Sequence, residues 1–79
     1  MSPTILRQDG YQVMIFPNDH LPPHVHVRRA GSAARIRLDP VEVLHNQGYN
    51  VRELGQIIAI VRQHQTTLLL AWKEINGDV

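Results

Sequence analysis

The chain has 79 residues, 43% of them hydrophobic and 19% charged, with a formal net charge of +1 when its five histidines are neutral. This composition predicts one small folded domain over residues 1–79 rather than a disordered chain. The near-zero net charge gives no bulk electrostatic footprint for nucleic acid, and the complete lack of cysteine excludes disulfides and thiolate metal sites.

A domain this short buries only about 60% of its unfolded surface, so pairing with a second copy would stabilise it. The cysteine-free composition fits a reducing cytoplasm. Met1-Ser2-Pro3 is not followed by a charged and then an apolar stretch, so no signal peptide is expected. No apolar run is longer than Leu68 to Trp72, which is too short to span a bilayer, so no membrane role is expected.

In chain order, Thr4, Ile5 and Leu6 start a first strand between Pro3 and Gln8. Asp9-Gly10 is a turn, and Tyr11 to Phe16 forms a second strand with apolar residues on both faces. A loop from Pro17 to Pro23 follows. Pro22-Pro23 fixes two φ angles and stiffens it around Asn18, Asp19 and His20. His24 to Arg29 and Ala33 to Leu38 read as the third and fourth strands, joined by a tight turn at Ala30-Gly31.

That turn fixes a register. Val27 falls opposite Ala34, Val25 opposite Ile36, His26 opposite Arg35 and His24 opposite Arg37. Apolar pairs then share one face and polar pairs the other, an agreement that a one-residue slip would destroy.

Residues 40–47 read two ways. Asp39-Pro40 with Glu42 suits the start of a short helix ended by Gly48, whereas Val41-Glu42-Val43 suits a strand; the helix is the favoured reading. Asn50 followed by Glu53 is a clear helix start, and one long helix to about Asn76 is expected, stopped by Gly77. Leu54, Ile58, Val61, Leu68, Trp72 and Ile75 form its stripe, interrupted by Gln65. The expected fold is α+β: a small antiparallel sheet of about four strands with one long C-terminal helix packed on one face.

The chemistry concentrates in Asp19-His20-Leu21-Pro22-Pro23-His24-Val25-His26. Strand parity places His24, His26, Arg28, Arg35 and Arg37 on one face, with Asp19 and His20 at its rim. Three readings stay open. In the first, His20, His24 and His26 are catalytic acid–base groups acting on RNA, while Asp19, Arg28, Arg35 and Arg37 bind it. Such chemistry needs no cofactor. In the second, His-x-x-x-His-x-His with Asp19 binds a divalent metal. The adjacent arginines oppose a cation, so no metal ligand is assigned. In the third, the histidines are polar residues on a solvated sheet face. Trp72 reads as a core anchor, and His45 and His64 as isolated.

Pro3-Thr4-Ile5, Asp9-Gly10-Tyr11, the Asp-His-x-Pro-Pro-His-x-His-Val core, Leu38-Asp39-Pro40-Val41-Glu42, Gly48-Tyr49-Asn50, Arg52-Glu53-Leu54 and Trp72 together resemble the bacterial domain-of-unknown-function 4160 family. The resemblance covers essentially the whole chain. It implies a toxin–antitoxin-type component encoded beside a small partner protein of the 2442 family, and it supplies no established catalytic residues. The expected function is therefore action on, or binding of, RNA through the His/Arg face. The alternatives are a non-enzymatic module that meets a partner or a second copy through its helix, and a histidine-based metal protein.

Overall fold

The computed structural model describes residues 4–77. Five strands lie side by side in chain order as an antiparallel meander: β1 Thr4–Gln8, β2 Tyr11–Met14, β3 His24–Arg29, β4 Ser32–Leu38 and β5 Val41–Gln47. Two helices, α1 Val51–Gln63 and α2 Gln65–Asn76, complete the α+β fold.

The β3–β4 register is the one read from parity: His24 pairs with Arg37, Val25 with Ile36, His26 with Arg35 and Val27 with Ala34. Ala30 and Gly31 at the turn both take positive φ, 48° and 84°. Those are the values of a two-residue hairpin loop matched to strand twist. Alternation then sends Val25, Val27, Ala34, Ile36 and Leu38 into the core, where Ile57, Ile60, Val61, Leu68 and Trp72 meet them from the helices.

Two expectations are corrected. Residues 41–47 are a fifth strand, not a short helix. Val41 and Val43 sit opposite Leu38 and Ile36 and pack against the core, while Glu42 sits opposite Arg37 and ion-pairs with it. Those cross-strand gains outweigh the weak capping signal at Asp39. A bulge between Arg35 and Ile36 then brings His45 opposite Arg35.

The second correction is that the helix is broken at one residue, His64 (φ −110°, ψ 16°). There the Gln65 amide donates to the Leu38 carbonyl at 2.7 Å, and His64 Nε2 lies 3.0 Å from Gln8 Oε1. The stripe gap at Gln65 is thus a point where polar side chains tie the helix to the sheet. Both helix ends are as expected: Asn50 and Glu53 form a reciprocal capping box, and Gly77 (φ 84°) ends α2.

Candidate functional site

The loop between β2 and β3 carries Asp19 to the start of β3. Asn76, the last residue of α2, clamps that loop: its Oδ1 accepts from the Asp19 backbone N–H at 3.0 Å, and its amide donates to the Phe16 carbonyl at 3.1 Å. The far end of the chain therefore sets the position of a carboxylate 57 residues earlier. No local signal around Asn76 could have announced this role, because it depends on how α2 crosses the sheet.

Each carboxylate oxygen of Asp19 has a separate task. Oδ1 accepts from the His20 backbone N–H at 3.0 Å and lies 3.2 Å from His20 Nδ1. Oδ2 lies 3.0 Å from His24 Nε2 and 3.1 Å from His26 Nε2. Burial raises the Asp19 pKa, but the hydrogen bond from His26, the His20 backbone N–H and the nearby His24 and His26 rings outweigh it. The carboxyl group stays below its ordinary value.

The three histidines occupy different surroundings. His20 is exposed. His26 is partly exposed on the outer sheet face, with the Phe16 ring edge-on to it at 4.7 Å. His24 differs from the solvated-face expectation: it is 2% exposed, with the Trp72 indole at 5.3 Å. Trp72 itself is a buried core residue, as expected.

The His24 ring is oriented by its other nitrogen. Nδ1 lies 2.8 Å from the Pro22 carbonyl, which can only accept, so Nδ1 carries the proton. Nε2 therefore presents a lone pair in the neutral ring. Although Asp19 Oδ2 is 3.0 Å away, its approach lacks hydrogen-bond geometry. Among the described residues, His24 Nε2 and Trp72 Nε1 are the two buried side-chain polar atoms without a hydrogen-bond partner. A buried lone pair beside a carboxylate oxygen is unfavourable unless something positive lies between them.

One ligand atom each from Asp19, His24 and His26 lies within 4.8 Å of the other two. Two ligands of a shared ion, each about 2.0–2.1 Å from it, stand roughly 3–3.5 Å apart. Both carboxylate-to-imidazole distances are close to that range. The arginine opposite His24, Arg37, is neutralised by Glu42, and among the described residues no Arg or Lys ion-pairs with Asp19. The charge objection to a cation is thereby reduced to Arg35, opposite His26, and Arg28, two residues from His26 on β3.

Of the residues singled out from sequence, the structure brings together Asp19, His20, His24 and His26. Arg35 lies beside His26 across the β3–β4 pair, Arg28 two residues further along β3, and Arg37 is tied to Glu42. His45, set aside as isolated, lines a depression on that face with His26, Arg28, Arg35, Met14 and Phe16. Plain strand alternation would have put it on the core face with Val41 and Val43; the bulge between their pairing and that of His45 turns it outward.

Fold and site together define a small α+β meander protein with a carboxylate–dihistidine cluster at the mouth of its central strand. The family model described as "Domain of unknown function (DUF4160)" matches residues 10–73, and the chain belongs to that family. No curated protein and no solved structure matches the chain. No helix among the described residues is long and apolar enough to cross a membrane.

Proposed function

We propose that the chain is a divalent-metal protein whose centre is Asp19, His24 and His26. The observation that carries this reading is His24: a buried imidazole with Nδ1 committed to a backbone carbonyl and Nε2 aimed, unpartnered, beside a carboxylate oxygen. A second hydrogen bond that fixes the ring and leaves the other nitrogen free is the usual support of a metal-bound histidine. Two imidazoles and one carboxylate suit zinc or another first-row divalent ion, and three protein ligands leave a position for water or substrate. That position faces the outer surface, because His26 is its partly exposed wall.

The setting is the one implied by the family resemblance: a cytoplasmic toxin–antitoxin-type component that acts on RNA, with a 2442-family protein as partner. Within it, His24 and His26 hold the ion, and Arg28 and Arg35 hold phosphate. A fully enclosed His24 has no surface from which to exchange protons with a substrate, which favours the ligand role over acid–base catalysis.

The test is metal uptake. Chelator-stripped protein, dialysed against zinc or manganese and analysed for metal content, takes up one ion per chain. Asp19→Asn and His26→Gln lose it while keeping a folded circular-dichroism spectrum. Absence of uptake, or uptake unchanged in both variants, removes the proposal. For the RNA role, cleavage of a mixed RNA that persists in EDTA would separate that activity from the metal.

A further inference from the structure

The net charge of +1 conceals a segregation. Register places Arg7, Gln12, Arg28, Ala33 and Gln47 in one row across all five strands. A second row, two residues along, holds Met14, His26, Arg35 and His45. Both rows lie on the face away from the helices, since their neighbours Leu6, Val13, Val27, Ala34 and Ile36 point into the core.

Among the described residues, Arg7, Arg28 and Arg35 have no ion-pair partner, while Arg29 and Arg37 are held by Glu53 and Glu42. Among the described residues, Glu42 is the only carboxylate on the five strands, and Arg37 neutralises it. Two depressions run along the face, of about 440 and 550 Å³. They adjoin at Arg28 and Ala33, which line both, and make up a trough with Arg35 and His45 towards one end and Arg7 towards the other. Phe16, 37% exposed, stands at the His26 end.

We infer that this trough is a binding platform for single-stranded nucleic acid. Arg7 and Arg28 stand two strands apart in one row, and Arg28 and Arg35 are diagonal on neighbouring strands, so the unpaired arginines address separate phosphates rather than one. An exposed aromatic ring beside them offers a stacking surface for a base, the combination by which sheet faces hold single strands. Two adjoining depressions with cations at both ends suit a strand better than a lone nucleotide. His26 belongs both to the trough and to the Asp19 cluster, so the strand would pass the proposed ion. The inference names the surface and the ligand for the RNA setting proposed above; it does not depend on metal being bound.

The test is fluorescence anisotropy with a labelled ten-nucleotide RNA of mixed sequence, in EDTA, across a salt series. Unlabelled 5′-AMP and a ten-base-pair DNA duplex serve as competitors. The expected result is binding with a log–log salt slope of about −2, three phosphates at roughly 0.7 each. Arg28→Ala with Arg35→Ala weakens it at least tenfold, and the helix-face pair Arg52→Ala with Arg62→Ala leaves it within about twofold.

Undetectable binding, or equal loss in the two arginine pairs, overturns the platform. Displacement by 5′-AMP at the strand's own affinity overturns the strand and leaves a nucleotide site. Displacement by duplex at equal affinity overturns single-strand recognition. A chain that takes up zinc but fails these tests loses this inference alone, and one that binds RNA but no metal loses the metal centre alone.

Discussion

Replacing His24 by methionine separates a ligand from a structural residue. Methionine fills an irregular apolar site and packs well against an aromatic ring, here Trp72. In chelator, the substitution removes an unpartnered buried nitrogen that costs about 1–3 kcal/mol. It also removes the Nδ1–H bond to the Pro22 carbonyl, worth about 0.5–1.5 kcal/mol. The metal-free variant should therefore be about as stable as the parent chain, or more stable.

Metal reverses the order. Zinc at one hundred times its dissociation constant adds about 2.7 kcal/mol to a protein that binds it only when folded. For a domain of this size each kcal/mol moves Tm by roughly 4–8 °C, so the parent should gain about 10–20 °C. His24→Met should gain almost nothing. Thermal unfolding by circular dichroism, with and without zinc, reads both quantities. A variant melting more than about 5 °C below the parent in chelator, or responding to zinc as the parent does, would refute the reasoning.

Three further predictions follow from the same geometry. Asn76→Ala removes both contacts that clamp the Asp19 loop, and should cost about 1–2 kcal/mol by denaturant titration and lower zinc affinity about tenfold by calorimetry. Gly55, inside α1 with open space at its Cβ position, should accept alanine with a gain of about 0.5–1 kcal/mol. Gly48 (φ +101°, with a Cβ position 2.6 Å from Ser32 Oγ) should lose about 2 kcal/mol on the same change, and equal denaturation midpoints for the two variants would be wrong for both sites. The Glu53 carboxyl is held below its ordinary value first by the Asn50 backbone N–H and, against the opposing effect of burial, by Arg29. Its stabilisation is present above the ordinary glutamate range and lost as pH falls through the lowered value. The stability gap between the parent and Glu53→Gln should thus be open at pH 7 and narrow towards pH 3, as followed by denaturant midpoints.

Much of this architecture was legible in the residues. The tight Ala30-Gly31 turn and strict alternation around it define the β3–β4 register uniquely, because a slip would bury arginines. Asn50 and Glu53 mark the start of α1 by a local hydrogen-bond exchange that needs no tertiary partner. Residues 41–47 were harder. Asp39, Pro40 and Glu42 satisfy a helix cap locally, and only the Arg37–Glu42 pair and the core contacts of Val41 and Val43 decide for a strand.

The site was legible in membership but not in arrangement. Parity alone puts His24 and His26 on the same side of β3. It cannot show that the loop and Trp72 enclose one and leave the other open. Nor can it show that the Pro22 carbonyl accepts a hydrogen bond from Nδ1–H, or that Asn76 holds the loop. Those are contacts between segments distant in the chain or across a bend, and they turn a row of histidines into a set of converging donors.

The most direct measurement of the central claim is a zinc titration of uniformly nitrogen-15-labelled protein, followed through the ring nitrogens of its five histidines. His24 and His26 should change at Nε2 and saturate at one equivalent, with His24 keeping its Nδ1 proton throughout, while His45 and His64 stay unchanged. Ring shifts that move gradually in all five histidines, or an Nε2 of His24 that never responds, would contradict it.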